Sequence, residues 1–292
     1  MVRLTRRTAT GAVAISFALL AAGCGTSPPR AATTSTSEKS STPTDNSFDQ
    51  SYTPEQLSRY DMPTYDRVWS ADDLAKAARV LDKLTKERGY YLLPKYKSER
   101  SGMIFDRILS TENFTSFRDP ARPLDDRWHE LGVYIHAIIK VVHIYGSSAR
   151  NKDSHFTEEV ELWGYTLRVM PVVLDLIDEY GSTPTEKRKN YKRIRKIGKD
   201  ETNDMLKDVI KELMTKLEAP EQFHRAEFKR LVSHMNETVP TYFQRLPKEY
   251  REYLMWRLEK LQNSPKTKIL QPELDDLIAK VKAVDQGPAA KE

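Results

Sequence analysis

Three imidazoles fall at seven-residue intervals in one apolar run, WHELGVYIHAIIKVVHIY, residues 128–145. His129, His136 and His143 return to nearly the same side of a helix, and Lys140 stands between the last two. Titratable groups in such a line could form a polar groove for an anionic ligand. They cannot chelate one metal ion together. Seven residues advance a helix by about 10.5 Å, and two ligands from one helix need a spacing of three or four. That closer spacing occurs at Glu221 and His224, with Glu227 three residues on, and at Asp126 and His129. Di-metal centres in helical bundles use two Glu-x-x-His pairs plus two further glutamates. Here one pair has aspartate and the extra glutamates cannot be identified. Glu221 and His224 therefore make a weak metal candidate, and no cofactor is expected. The plainer readings are an exposed stripe on a buried helix, or core histidines satisfied one at a time.

The charge is patterned locally. The run EKRKNYKRIRKIGK, residues 186–199, holds Lys187, Arg188, Lys189, Lys192, Arg193, Arg195, Lys196 and Lys199 against one glutamate. On a helix, Tyr191, Ile194 and Ile197 leave a thin apolar stripe beneath a positive ridge. Such a ridge suits an anionic lipid surface, a wall polymer or an acidic partner. The bland reading is a solvated face, with Asp200, Glu201 and Asp204 next door. The aromatic run at 241–256 reads as core and boundary packing. No phosphate loop, dinucleotide fingerprint, nucleophile elbow or H-E-x-x-H motif occurs.

The elements that carry these residues read as helices throughout. Apolar residues recur at three and four, and no stretch alternates in twos for long. Expected helices cover 70–88, with Ser70 and Asp73 as a capping box, 101–110, 124–145 and 154–180, the last kinked at Pro171. Others cover 183–217, 221–236, 240–246, 248–262 and 272–284. Gly89, Gly146 and Gly181 each follow a periodic segment, where glycine commonly ends a helix. The run at 131–145, apolar nearly all round, is expected to be the central helix. The fold class is all-α, a bundle of about seven to nine helices.

The N-terminus differs in kind. Arg3, Arg6 and Arg7 precede the apolar stretch GAVAISFALLAA, and Gly23 and Cys24, the chain's one cysteine, follow. This is the layout of a secretory signal, and it is too short to span as a permanent helix. LAAGC, Leu20 to Cys24, resembles the lipobox of bacterial lipoproteins, with Ala21 where leucine is commonest. The resemblance covers residues 1–24. It implies cleavage between Gly23 and Cys24, a diacylglycerol on the thiol and an acylated new amino terminus. Gly25, in place of an aspartate, leans towards an outer membrane where the cell has one. The alternative is a secreted protein cut near Ala22 with an idle thiol.

With Cys24 acylated, no thiol remains for a disulfide, a thiolate metal site or a cysteine nucleophile. Residues 24–52 are rich in Ser, Thr and Pro and read as a disordered tether, residues 53–286 as the helical domain and 287–292 as a flexible tail. Without the leader arginines, 44 basic and 42 acidic residues remain, a net charge near +2. Asn113-Phe-Thr115 and Asn236-Glu-Thr238 match the glycosylation pattern, which a bacterial lipoprotein seldom uses. Together these readings describe a protein of the cell membrane or outer membrane, lipid-anchored on the extracytoplasmic face. It acts by binding an envelope protein, an anionic wall polymer or an incoming toxin, and not nucleic acid. The alternative is a helical metal- or small-ligand-binding protein or enzyme using the histidine helix or the Glu221–His224 pair.

Overall fold

The computed structural model describes residues 49–150, 155–182, 207–219 and 225–286. These residues form nine α-helices and no strand, as the three-and-four spacing demands. The basic run 187–199, the Glu221–His224 pair, and Gly23 and Cys24 with the rest of the first 48 residues lie outside the described residues.

Local chemistry sets the helix starts. Helix α1, Pro54–Ser58, opens on Thr53, whose hydroxyl accepts from the Gln56 N–H while the Gln56 side chain accepts from the Thr53 N–H. Helix α2, Ala71–Arg88, repeats the device with Ser70 and Asp73 and ends at Gly89, whose φ of +84° suits glycine. Helix α3 is Gly102–Ile108, α4 is Leu124–Arg150 and α5 is Phe156–Ser182. Helix α6 covers 207–217. Helices α7, Arg225–Tyr242, α8, Lys248–Gln262, and α9, Gln271–Asp285, follow. Short 3-10 turns at Tyr90–Leu92, Thr111–Arg118, Phe243–Arg245 and Pro265–Leu270 join them.

Three boundaries depart from the sequence reading. Helix α4 does not stop at Gly146 but continues to Arg150, and Gly181 likewise lies within α5. Gly146 serves a close approach instead of a stop: a methyl there would sit 2.8 Å from Glu159 Oε1 on α5. Pro240 does not begin a new helix, since α7 runs through it to Tyr242. Val239, Tyr242 and Phe243 are buried around it, and that packing outweighs the lost N–H. The folded body also starts before residue 53. Ser51 is fully buried, its hydroxyl 2.8 Å from that of Ser101, and the Tyr52 N–H donates to Leu92 O at 3.0 Å.

Helix α5, not α4, holds the centre. Every residue from Glu158 to Leu167 other than Gly164 has a side chain, and all of these are buried. Helix α4 packs on α2 and α5, and its exposed side is where the histidines fall. Arg127, buried near the start of α4, grips Glu179 near the end of α5 at 2.9 Å, while Gly146 meets Glu159 at the opposite ends. The two helices are therefore antiparallel. Helix α7 lies along another side of α5 in parallel. Thr157 pairs with Glu227, Glu161 with Arg230, and Asp175 with Arg245. Parallel neighbours need a return connection, and here it includes α6. Helix α9 packs on α7, and α8 on α9.

Two polar groups in the core act as joints. Asn113 is 1 % exposed; its Oδ1 accepts from the Trp69 N–H at 3.1 Å and its amide donates to Arg107 O at 2.8 Å. Its glycosylation pattern is thus a buried splice between α3 and the segment entering α2. Tyr165 donates to Ser110 O at 2.7 Å and accepts from the Tyr134 hydroxyl, and burial raises both phenols far above their usual range, so both stay neutral donors.

Gly146→Ala should lower stability by about 1–3 kcal/mol, because Glu159 cannot swing away from the new methyl without leaving its cation. Helix propensity alone would raise it by about 1 kcal/mol. The sign of the shift in urea midpoint decides between close approach and an incidental glycine.

Candidate functional site

The chemistry in this fold gathers at the first turns of α5, in the stretch HFTEEVELWG, residues 155–164. Glu158 and Glu159 lie near the helix start, where the unsatisfied N–H groups favour negative charge. Glu161 lies one residue beyond Val160. All three carboxylates are buried, with 5 %, 2 % and 5 % exposure. Steps of about 100° per residue send them to different neighbours.

Glu158 turns to the loop before α3 and accepts the Tyr96 N–H at 2.7 Å. His155 sits beside it, with Nδ1 3.4 Å from Glu158 Oε2 but outside hydrogen-bond geometry, while its Nε2 donates to Tyr90 O at 3.0 Å. Glu159 turns to α4 and α6, pressed on Gly146 and paired with Lys216. Glu161 turns to α7, where Arg230 Nε donates to Oε1 at 3.0 Å. His234 Nε2 stands 3.3 Å from Oε2, off the line of a hydrogen bond. His234 is fully buried, and its ring lies so close to Gly164 that a methyl there would overlap it. Gly164 is what lets α7 carry an imidazole against the α5 backbone.

Burial alone would push the Glu161 carboxyl up. The His234 ring and the Arg230 guanidinium beside it outweigh that and hold it at about 2. The acid is therefore ionised, and each of the three carboxylates has its own donor or cation from a separate element. Removing one partner from a buried pair leaves an uncompensated charge, at a cost of about 3–5 kcal/mol. The arrangement fastens the loop at 93–101, α4, α6 and α7 to one helix end. Its carboxylates are aimed apart, so they do not converge on a common ligand. Among the described residues no three His, Cys, Asp or Glu side chains are placed to hold a metal ion.

The residues singled out in the sequence lie elsewhere. His129, His136 and His143 are all exposed on α4. His143 Nε2 is 3.6 Å from Glu212 of α6, and Lys140 pairs with Asp82 of α2 at 3.0 Å. The line of histidines is thus an outer face of α4, with its lysine bound across to α2. Lys187, Arg188, Lys189, Lys192, Arg193, Arg195, Lys196 and Lys199, with Glu221 and His224, lie outside the described residues. Sequence reasoning missed His155, Glu158, Glu159, Glu161, Lys216, Arg230 and His234. The available signal was three glutamates among the apolar residues of the first turns of α5, together with the mid-helix glycines Gly146 and Gly164.

Glu161 also sets a pH dependence. Its folded value of about 2 lies below the ordinary 4.5, so its contribution is present above about pH 4.5 and fades as pH falls towards 2. The shift corresponds to about 2–3 kcal/mol at most. Denaturation from pH 5 to pH 2 should show a shallower loss of stability in Glu161→Gln than in the parent, the difference isolating this group from Asp49, Asp73 and Asp82, which are also lowered. Equal slopes would show that Glu161 is not held by its neighbours. Comparison with protein-family models, with curated proteins and with solved structures finds no match to this chain.

Proposed function

We propose that the chain is a lipid-anchored extracytoplasmic protein that works by binding, its helical body held to a membrane through Cys24. The observation that carries this reading is the position of the only cysteine, one glycine after an arginine-led apolar segment and directly before a Ser/Thr/Pro-rich stretch. Two acyl chains or more make attachment stable, since each buried methylene contributes about 0.8 kcal/mol and one chain binds only marginally. Among the described residues no helix is long and apolar enough to cross a membrane. The described residues form a compact unit with its own core. The buried ionic groups at the start of α5 are engaged with one another, which favours recognition on the outer faces over chemistry within.

Growth with an alkyne fatty acid should label the wild-type protein, and Cys24→Ser should abolish the label and move the protein out of the membrane fraction. Wild-type protein without an acyl group would end the reading.

A further inference from the structure

The folded body begins at a fixed point. The Asp49 side chain accepts from the Ser51 N–H at 2.9 Å and from the Ser98 hydroxyl, and Arg100 donates to Ser51 O. The described residues therefore begin beside the loop at 93–101. The 24 residues from 25 to 48 can span at most about 85 Å.

The surface at this exit has its own composition. The Tyr52 and Tyr60 rings lie 5.9 Å apart, and Tyr52 is within electrostatic range of Arg88 and Tyr91. Tyr91 is 51 % exposed and Met103 is 59 % exposed, two of the few large apolar side chains on the outside. Lys97 stands 5.1 Å over the Tyr96 ring, on backbone held in the left-handed region at φ +56°. Lys95 is close enough to act on Asp49. From Lys86 to Met103 the chain has five basic residues and two acidic. Among the described residues Arg88, Lys95 and Lys97 form no ion pair with a carboxylate. One exposed tyrosine, Tyr91, beside the half-buried Tyr52, Tyr60 and Tyr96 and with Arg88, Lys95 and Lys97 around them, matches the headgroup zone of an anionic bilayer.

We propose that this face, built on Arg88, Tyr91, Lys95, Lys97 and Met103, docks onto anionic phospholipid in the membrane that anchors the chain. The proposal rests on the lipid-anchor reading. Asp49, where the described residues begin, lies at the edge of this face, so in a chain anchored at Cys24 weak docking is enough to orient the body. Helix α8, which packs on α9 and on Pro265–Leu270 and carries none of these residues, then stays in water.

The mature lipidated chain tests this directly. Its Cys24 sulfur is acylated, so a Met103→Cys side chain is the one free thiol and accepts an environment-sensitive dye. On phosphatidylcholine vesicles containing phosphatidylglycerol, the dye should shift to the blue and brighten. The shift should be lost at high salt, lost in Arg88→Glu/Lys95→Glu, and absent on pure phosphatidylcholine. A dye at Glu252→Cys on α8 should report water on every vesicle. If the chain floats with the vesicles and the Met103→Cys dye stays in water, docking is wrong and the anchor stands. If the chain does not float, the anchor reading fails and docking fails with it. A shift produced by a soluble anionic wall polymer and not by vesicles would overturn the choice of lipid, and a shift indifferent to salt and to the double variant would overturn the role of charge.

Discussion

The fold turns on the burial of three carboxylates at one helix end. A carboxyl group leaves water only when something replaces the lost hydration. Glu158, Glu159 and Glu161 therefore each demand a partner, and each takes it from a different part of the chain. That demand gives the bundle its arrangement: α6 must bring Lys216, α7 must bring Arg230 and His234, and the 93–101 loop must bring a backbone N–H. A core made only of Leu, Val and Tyr would be as dry but would tolerate sliding and rotation of its helices. Directed charges do not.

Glycines complete that constraint. Where a charged side chain meets a neighbouring helix, the neighbour gives up its own side chain: Gly146 makes room for Glu159, and Gly164 makes room for His234. The same residue type does opposite work at Gly89, where a positive φ ends α2. Composition cannot separate the two roles, because both place a glycine after a run of regularly spaced apolar residues.

That ambiguity explains which parts of the structure were legible in sequence. Helix α2 could be read to the residue, since Ser70, Asp73 and Gly89 are local signals with local causes. Helix α8 was equally clear. The end of α4 and the continuity of α7 through Pro240 depend on what packs across from them, and a single chain does not reveal that. The buried cluster was hidden for the same reason. Acidic residues in a first turn look like ordinary partners of the helix dipole, and Lys216, Arg230 and His234 look like ordinary surface charges until α6 and α7 are placed. The histidine run at 129–143 drew notice because its regularity is visible along the chain, yet regular spacing on one helix describes a face and says nothing about its surroundings.

The parallel alignment of α5 and α7 has a bearing on how the molecule comes into being. Glu161 and Arg230 are 69 residues apart in the chain. Synthesis proceeds from the N-terminus, so α5 exists before any of its basic partners on α6 or α7. During that interval Glu159 and Glu161 stand as bare charges without their later cations, whereas the Tyr96 N–H that serves Glu158 is already made. Those charges keep the nascent helix hydrated and discourage it from clumping with other incomplete chains. The groups that lock the finished bundle thus act first as its solubiliser.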